Sequence, residues 1–286
     1  MNMTPSCYIC FLRQAESVCD LVGADAATRT RVLRAVCAVL SLVPDTVTPP
    51  EVSDGVHKAV RDTLGVADPY HELKREYNNK ALERVPALEE LCEASADPLA
   101  AYVRAALCGN IIDFGCATPF DLDATYAEMA SWQLDGAVLA RLRDDLGRAR
   151  SLLFLTDNAG EIVFDALLLR HIRKTTGIEC ITVAVKGGPW INDAMEEDAA
   201  AAGIRAGDGI TILRIGTGER GTGMMRTSPA FANVCETHDV IISKGQANWE
   251  LLGDRPGMYF LLMAKCPLIA SAFGTKPQSP VLHRSS

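Results

Sequence analysis

Ser151-Leu152-Leu153-Phe154-Leu155-Thr156-Asp157-Asn158-Ala159-Gly160-Glu161 is the stretch whose reading decides the fold of this chain. Its first six residues form a short apolar run of strand length, and an apolar-rich run of helical length follows from Ile162 to Arg173. A carboxylate and an amide therefore stand where a buried strand ends, and Gly160 lets the backbone turn into a helix. In a parallel α/β sheet, ligands bind in the crevice beyond the carboxyl ends of the strands. This turn is thus the first candidate for a functional centre.

Working downstream, strand-length runs keep alternating with helical ones: Leu152–Thr156, Ile181–Lys186, Thr211–Ile215, Val240–Ser243 and Tyr259–Ala264. That alternation predicts βαβ units and a mainly parallel sheet covered on both faces. Upstream, residues 1 to about 150 hold no β-rich run and read as helices. Tyr8, Phe11, Ala15, Val18 and Val22 form one helical stripe. Asp25 is placed to cap a helix running to about Leu42, and Pro49-Pro50 opens another that Gly65 closes. Asp68-Pro69-Tyr70 starts a polar helix with Lys74 and Asn78 on one side. Asp97-Pro98 starts a fifth, which ends in Gly109-Asn110-Ile111-Ile112-Asp113. Helices are also expected over Asp121–Trp132 and Asp135–Arg148. The expected organisation is an all-helical region 1–150, an α/β region 151–273, and a loose tail 274–286 containing two prolines and several serines.

Composition narrows the function classes. With 286 residues, 48% of them hydrophobic, the chain has ample material for a packed core. A net charge of −8 argues against a general nucleic-acid binder, and Arg29, Arg31 and Arg34 read as a solvated helix face. No apolar run approaches the ~20 residues that span a bilayer. Met1 to Gln14 lacks the charged-then-apolar pattern of a secretory signal, so the cytoplasm is the expected compartment. There, ten cysteines are free thiols, metal ligands or redox groups more readily than structural disulfides. Most are scattered among apolar residues, but Cys7-x-x-Cys10 has a spacing that binds a metal or closes a disulfide. The five histidines show no metal spacing and no G-x-S-x-G elbow is present.

The chemistry gathers at the strand ends. Asp157-Asn158-Ala159-Gly160-Glu161 follows the first strand and Lys186-Gly187-Gly188-Pro189-Trp190-Ile191-Asn192-Asp193 the second. Ser243-Lys244-Gly245-Gln246-Ala247-Asn248-Trp249-Glu250 follows the fourth. Asp157, Asn158 and Asp193 are hard oxygen donors suited to Mg²⁺ or Mn²⁺, ions that share their shell with water and a substrate phosphate. Such residues also cap helices. Lys244 offers a point charge for a phosphate, with Ser243 and the following backbone N–H groups as donors. Gly216-Thr217-Gly218-Glu219-Arg220-Gly221 matches G-x-G-x-x-G, but loop-like sequence follows it and Asp239 precedes its strand. It predicts a loop closing over a substrate rather than a dinucleotide site.

Together, Asp157-Asn158-Ala159-Gly160-Glu161, Asn192-Asp193 and Ser243-Lys244-Gly245-Gln246-Ala247-Asn248-Trp249-Glu250 resemble the metal-dependent damage-control phosphatases, which include proteins called acidic-residue methyltransferase-like. The resemblance extends through Cys7-x-x-Cys10, Asp68-Pro69-Tyr70 and Gly109-Asn110-Ile111-Ile112-Asp113, ends at Lys265-Cys266, and is with the compact, mainly prokaryotic branch. It implies a helical N-terminal domain, forming a wall or lid of the site, packed on a Rossmann-like αβα sandwich with a mainly parallel sheet. It implies a divalent ion (Mn²⁺, Mg²⁺, Co²⁺ or Ni²⁺) held by Asp157, Asn158 and Asp193, with phosphate bound by Lys244. Glu161, Asn110, Asp113, Asn192, Ser243, Gly245 and Asn248 would lie around the substrate. Cys7, Cys10 and Cys266 recur together in this branch, which makes a three-cysteine cluster an expectation. Trp190 and Trp249 stand where smaller or tyrosine-like residues belong, a departure that bears on substrate shape. The implied activity is hydrolysis of phosphomonoesters of small metabolites, sugar phosphates or damaged phospho-metabolites, with neither nucleic acid nor membrane as partner. The nucleophile would be water activated by the metal or an aspartate carboxylate. Two other readings compete: carboxyl methyl transfer from S-adenosylmethionine, for which the chain offers only the poor glycine match, and a non-catalytic phosphometabolite- or metal-binding module.

Overall fold

The computed structural model describes residues 2–44, 46–114, 122–216, 224–226 and 228–286. Seven helices come first: α1 (Pro5–Leu21), α2 (Ala26–Leu40), α3 (Pro49–Leu64), α4 (His71–Glu93), α5 (Pro98–Gly109), α6 (Leu122–Met129) and α7 (Gly136–Arg148). The remainder alternates: β1 (Ser151–Leu155), α8 (Glu161–Thr175), β2 (Cys180–Lys186), α9 (Glu196–Ala201), β3 (Ile210–Gly216), β4 (Met224–Met225), α10 (Pro229–Glu236), β5 (Val240–Lys244), α11 (Gln246–Leu252), β6 (Tyr259–Ala264), α12 (Pro267–Ala272) and β7 (Ser279–Arg284). Start signals in the sequence act as caps. Asp25 accepts from the Thr28 N–H at 2.7 Å, Asp97 accepts from the Ala100 N–H at 3.2 Å, and proline opens α1, α3 and α5.

The seven strands form one sheet in the order β4-β3-β2-β1-β5-β6-β7. All neighbours run parallel except β6 and β7. The chain lays β2, β3 and β4 to one side of β1, then returns to lay β5 and β6 on the other. The strand order therefore reverses between β1 and β5, which opens a crevice at their carboxyl ends. Asp157 follows β1 and Gly245 follows β5, so both stand at that switch point.

The expected loose tail is corrected here, because Ser279–Arg284 pairs antiparallel with β6. Val281 and Leu282 are buried, and Pro280 is tolerated because β7 is an edge strand that leaves one row of N–H groups unpaired. Serine, proline and arginine around two apolar residues hid a short strand. The glycine-rich loop expected to close over a substrate lies, from Thr217 to Gly223, outside the described residues, as does Cys116. Among the described residues no helix is long and apolar enough to cross a membrane.

Helices α4, α5, α7 and α8 cover one face of the sheet, and α10, α11 and α12 pack the other. The first of these cores runs without a break from Leu88 and Leu107 to Phe154 and Ile242, so packing does not divide where the strands begin. Gly109 permits a close approach of two helices: a Cβ there would lie 2.6 Å from Phe164 Cδ2, so glycine lets α5 lie against α8. Helices α1–α3 have a smaller core of their own around Phe11, Val36 and Val56.

His57 lies in that smaller core, 2% exposed, with its Nε2 3.0 Å from Gln14 Oε1. Burial, and after it the Arg61 charge, pushes its pKa from 6.5 down to about 3. Between those values the unfolded chain takes up a proton that the native state refuses. Stability is therefore intact above pH 6.5 and falls as the pH drops, by about 2 kcal/mol at pH 5 from this group. His57→Gln, which keeps an amide near Gln14, should flatten the acid side of a plot of urea midpoint against pH. An unchanged slope between pH 6.5 and 5 would show that His57 does not carry it.

Candidate active site

The site is built by two loops zipped together. After β1, the Thr156 N–H and Oγ1 both donate to the Ala184 carbonyl, at 3.1 and 2.9 Å. The Ala194 N–H donates to the Asp157 carbonyl and the Ala159 N–H to the Asn192 carbonyl, both at 2.8 Å. Asn158 and Asp193 thereby form an isolated antiparallel bridge. This backbone pairing, not proximity in sequence, sets Asp157, Asn158 and Asp193 beside one another. Ile191, just before them, adopts a left-handed φ of 39°, unusual for a β-branched residue.

All three line a cavity of about 500 Å³ between α1 and α3 on one side and the starts of α11 and α12 on the other. Asp113, from the turn after α5, joins them there. Behind the floor, Asn110 Nδ2 donates to Asp157 Oδ2 at 3.0 Å and to Glu161 Oε1 at 2.9 Å, while its Oδ1 accepts from the Met263 N–H at 2.8 Å. Asn158 Nδ2 donates to Asp157 Oδ2 at 3.0 Å and to Glu161 Oε2 at 3.2 Å. Two amides thus hold two carboxylates in one arrangement. Gly245 completes the fit: its φ is +80°, and a Cβ there would fall 2.0 Å from Asp157 Oδ2.

Burial, then the charge of Glu161, pushes the Asp157 pKa up to about 8; Lys265 opposes this, and Asp193 and Asp113 add to it. The floor therefore holds more carboxylate than it neutralises. Its donors are hard oxygens, the class that binds Mg²⁺ and Mn²⁺, so the residues fit a divalent ion. Among the described residues no three His, Cys, Asp or Glu side chains form a ready metal cage. An ion here would fill its shell with the Asn158 amide oxygen, water and substrate oxygens.

Lys244 is not placed as its sequence position suggested. It is wholly buried beneath the floor, and its Nζ donates to Glu161 Oε1 at 2.6 Å, Asp165 Oδ1 at 2.7 Å and the Ala106 carbonyl at 2.8 Å. An ammonium has three donors, so none is left for a phosphate. Strand parity is the reason: Lys244 shares the face of β5 that Ile242 turns toward α5 and α8. Burial works against its charge, but Asp165 and Glu161 hold its pKa up. Burial pushes Asp165 up to about 7 although Lys244 opposes it, and Asp165 Oδ2 has no partner.

The other expected substrate contacts also lie behind the lining. Asn192 ties the two halves together, accepting from the Phe114 N–H at 3.2 Å and donating to the Ile112 carbonyl at 3.3 Å. Asn248 donates to the carbonyls of Thr156 and Lys244 and accepts from Arg226. Ser243 Oγ is buried without a partner, and Gly245 N–H is occupied by the Leu261 carbonyl at 3.1 Å. Of the residues expected around a substrate, Asp113 lines the cavity, and Glu161, Asn110, Asn192, Ser243, Gly245 and Asn248 build its support.

Sequence reasoning passed over the cations that pair with the floor. Lys186 Nζ lies 2.9 Å from Asp193 Oδ2, and Lys265 Nζ lies 2.7 Å from Asp113 Oδ2. Both follow strand runs as Lys244 does; Lys186 turns to the opposite face of the sheet from Lys244, since Ala184 and Ser243 both stand level with Leu155, and Lys265 lies just past the end of β6. Cys7, Cys10 and Cys266 do come together on the cavity wall, all as free thiols. Burial, then the charges of Asp113, Cys7 and Cys266, raises the Cys10 pKa. Neither tryptophan lines the cavity: Trp190 packs beneath Arg61, 5.8 Å from its ring centroid, and Trp249 against Phe273 at 4.6 Å.

A switch-point site of carboxylates and amides in a mainly parallel sheet, roofed by helices, defines the class of protein. The damage-control phosphatase ARMT1-like domain matches residues 3–281, and this chain belongs to that family. A damage-control phosphatase of Archaeoglobus fulgidus is 33% identical over 226 residues, 77% of this chain and 76% of that protein. The damage-control phosphatase PH1575 of Pyrococcus horikoshii is 30% identical over 275 residues, 94% of this chain and 93% of its own. The protein MJ0202 of Methanocaldococcus jannaschii is 30% identical over 295 residues, 99% and 95% of the two chains. The crystal structure of PH1575 superposes with a TM-score of 0.81 at 27% identity, covering 100% of both chains.

Proposed function

We propose that this protein hydrolyses small-molecule phosphomonoesters with a divalent ion held by Asp157, Asn158 and Asp193. The observation that carries this reading is the bridge between Asn158 and Asp193, which sets three hard donors side by side at the switch point, facing a cavity. When bound, the ion would supply Lewis-acid polarisation of a phosphoryl oxygen. The chain's own part is positioning. Asn110 and Asn158 hold the Asp157 carboxylate, Glu161 holds Asn110 and Asn158, and Lys244 holds Glu161. We infer that Lys244 is a positioning residue, and that Lys186 and Lys265, paired with Asp193 and Asp113, supply the positive charge near a phosphoryl group. Such preorganised charge is commonly the largest contribution at sites of this kind.

The test is phosphate release from p-nitrophenyl phosphate and a panel of phosphomonoesters, by metal-stripped protein and after adding back Mn²⁺, Mg²⁺, Co²⁺ or Ni²⁺ singly. Release that appears only with an ion is expected. Folded protein that releases no phosphate with any ion, or releases it equally after stripping, sinks the proposal.

A further inference from the structure

We propose that the phosphomonoester taken by this cavity carries an apolar body, an alkyl or aryl chain of several carbons, in place of a bare sugar. The inference rests on the phosphatase reading above and specifies its substrate class. Asp113, Asp157, Asn158 and Asp193 form one group among the residues lining the cavity, and much of the remaining wall has a different chemistry. Phe11, Pro49, Pro50, Ile191, Pro267 and Leu268 line it, together with three thiols, which behave as small hydrophobes. Ser6, Ser53, Gln246 and Ser271 line it too, and two of its polar side chains already have partners. Thr4 Oγ1 lies 3.4 Å from Cys7 Sγ, and Gln14 meets both His57 Nε2, at 3.0 Å, and Cys10 Sγ, at 3.5 Å.

Among the described residues lining the cavity none is Lys, Arg or His, so these residues offer no cation to a second phosphate, as in a bisphosphate or a nucleotide polyphosphate. Glu250 is the acid on that wall, and its carboxyl behaves as in a water-poor setting, with burial raising its pKa to about 7. Each sugar hydroxyl moved out of water here needs a hydrogen-bond partner, and Thr4 and Gln14 are already engaged, whereas an alkyl chain needs none. The volume, about 500 Å³, lies within the range of pockets that enclose a whole ligand body.

The experiment compares kcat/KM for methyl, butyl, hexyl and octyl phosphate with that for hexose phosphates, using the full chain and whichever ion supports most release. A rise of about fourfold per added methylene is expected until the wall is covered, with hexyl phosphate above every hexose phosphate. Leu268→Ser, at a half-buried wall position, should lower kcat/KM for octyl phosphate more than for methyl phosphate; equal losses on both would count against the wall. A flat chain-length series, or a hexose phosphate preferred to hexyl phosphate, overturns the inference while leaving the phosphatase reading intact. If no ester is turned over with any ion, the phosphatase reading fails and the inference falls with it.

Discussion

Asp157→Asn is expected to lower metal-dependent phosphate release by on the order of 10³-fold or more, while leaving the metal-free protein at least as stable as the parent. Both halves follow from one environment. Asp157 is 9% exposed, and its carboxyl is pushed up to about 8 by burial and by Glu161. In the unfolded chain the same group ionises near 3.8. Between those values the unfolded state releases a proton that the native state keeps, so the metal-free fold loses stability as pH rises from about 4 to 8. Asparagine removes that penalty, and its amide can still accept from Asn110 and Asn158. A divalent ion reverses the trend, because it needs the carboxylate form. Thermal unfolding from pH 5 to 8, with and without ion, would read both effects. A variant that keeps parental activity, or that is destabilised by several kcal/mol without ion, would show that Asp157 is an ordinary structural carboxylate.

Lys244→Met carries the second large effect. Lys244, Glu161 and Asp165 side chains are all 0% exposed, with ion-pair distances of 2.6 and 2.7 Å. Removing the one cation leaves two carboxylates buried against each other, which costs about 3–5 kcal/mol when a buried pair is broken. For a chain of this size that corresponds to a fall in Tm of roughly 10 °C. Activity should fall as well, because Glu161 orients Asn110 and Asn158 beside Asp157, the first of the proposed metal ligands. A residue that binds phosphate directly would behave differently. Its loss would raise KM for the ester and the inhibition constant for inorganic phosphate while Tm held steady. That second pattern would return Lys244 to the role its place after β5 first suggested.

Other positions show where reading by pattern stops. Asp157 and Asn158 stand out as candidates by the strand before them and the glycine after them, and Asp193 by the equivalent place after the next strand. Those are local signals, because a strand that ends in polar, glycine-bearing sequence carries its own label. The tail reads as loose because β7 has only two buried apolar residues and needs β6 beside it to be a strand at all. Trp190 and Trp249, expected to bear on substrate shape, pack instead against Arg61 and Phe273.

The sequence by itself determined the order of the helices and of five of the strands, the helix caps, the parallel α/β class and the acidic and amide residues at the strand ends. Each depends on spacing and residue type within a few positions. Tertiary structure alone decided which of Lys186, Lys244 and Lys265 meets which carboxylate, since Lys244 finds Glu161 and Asp165 on α8 and Lys265 finds Asp113 after α5. It also decided that Asn110, from α5, lies between Asp157 and Glu161, and that Cys266 joins Cys7 and Cys10 on one wall. Those contacts join residues far apart along the chain. They exist only once α5 has packed on α8 and the two loops have paired across the switch point.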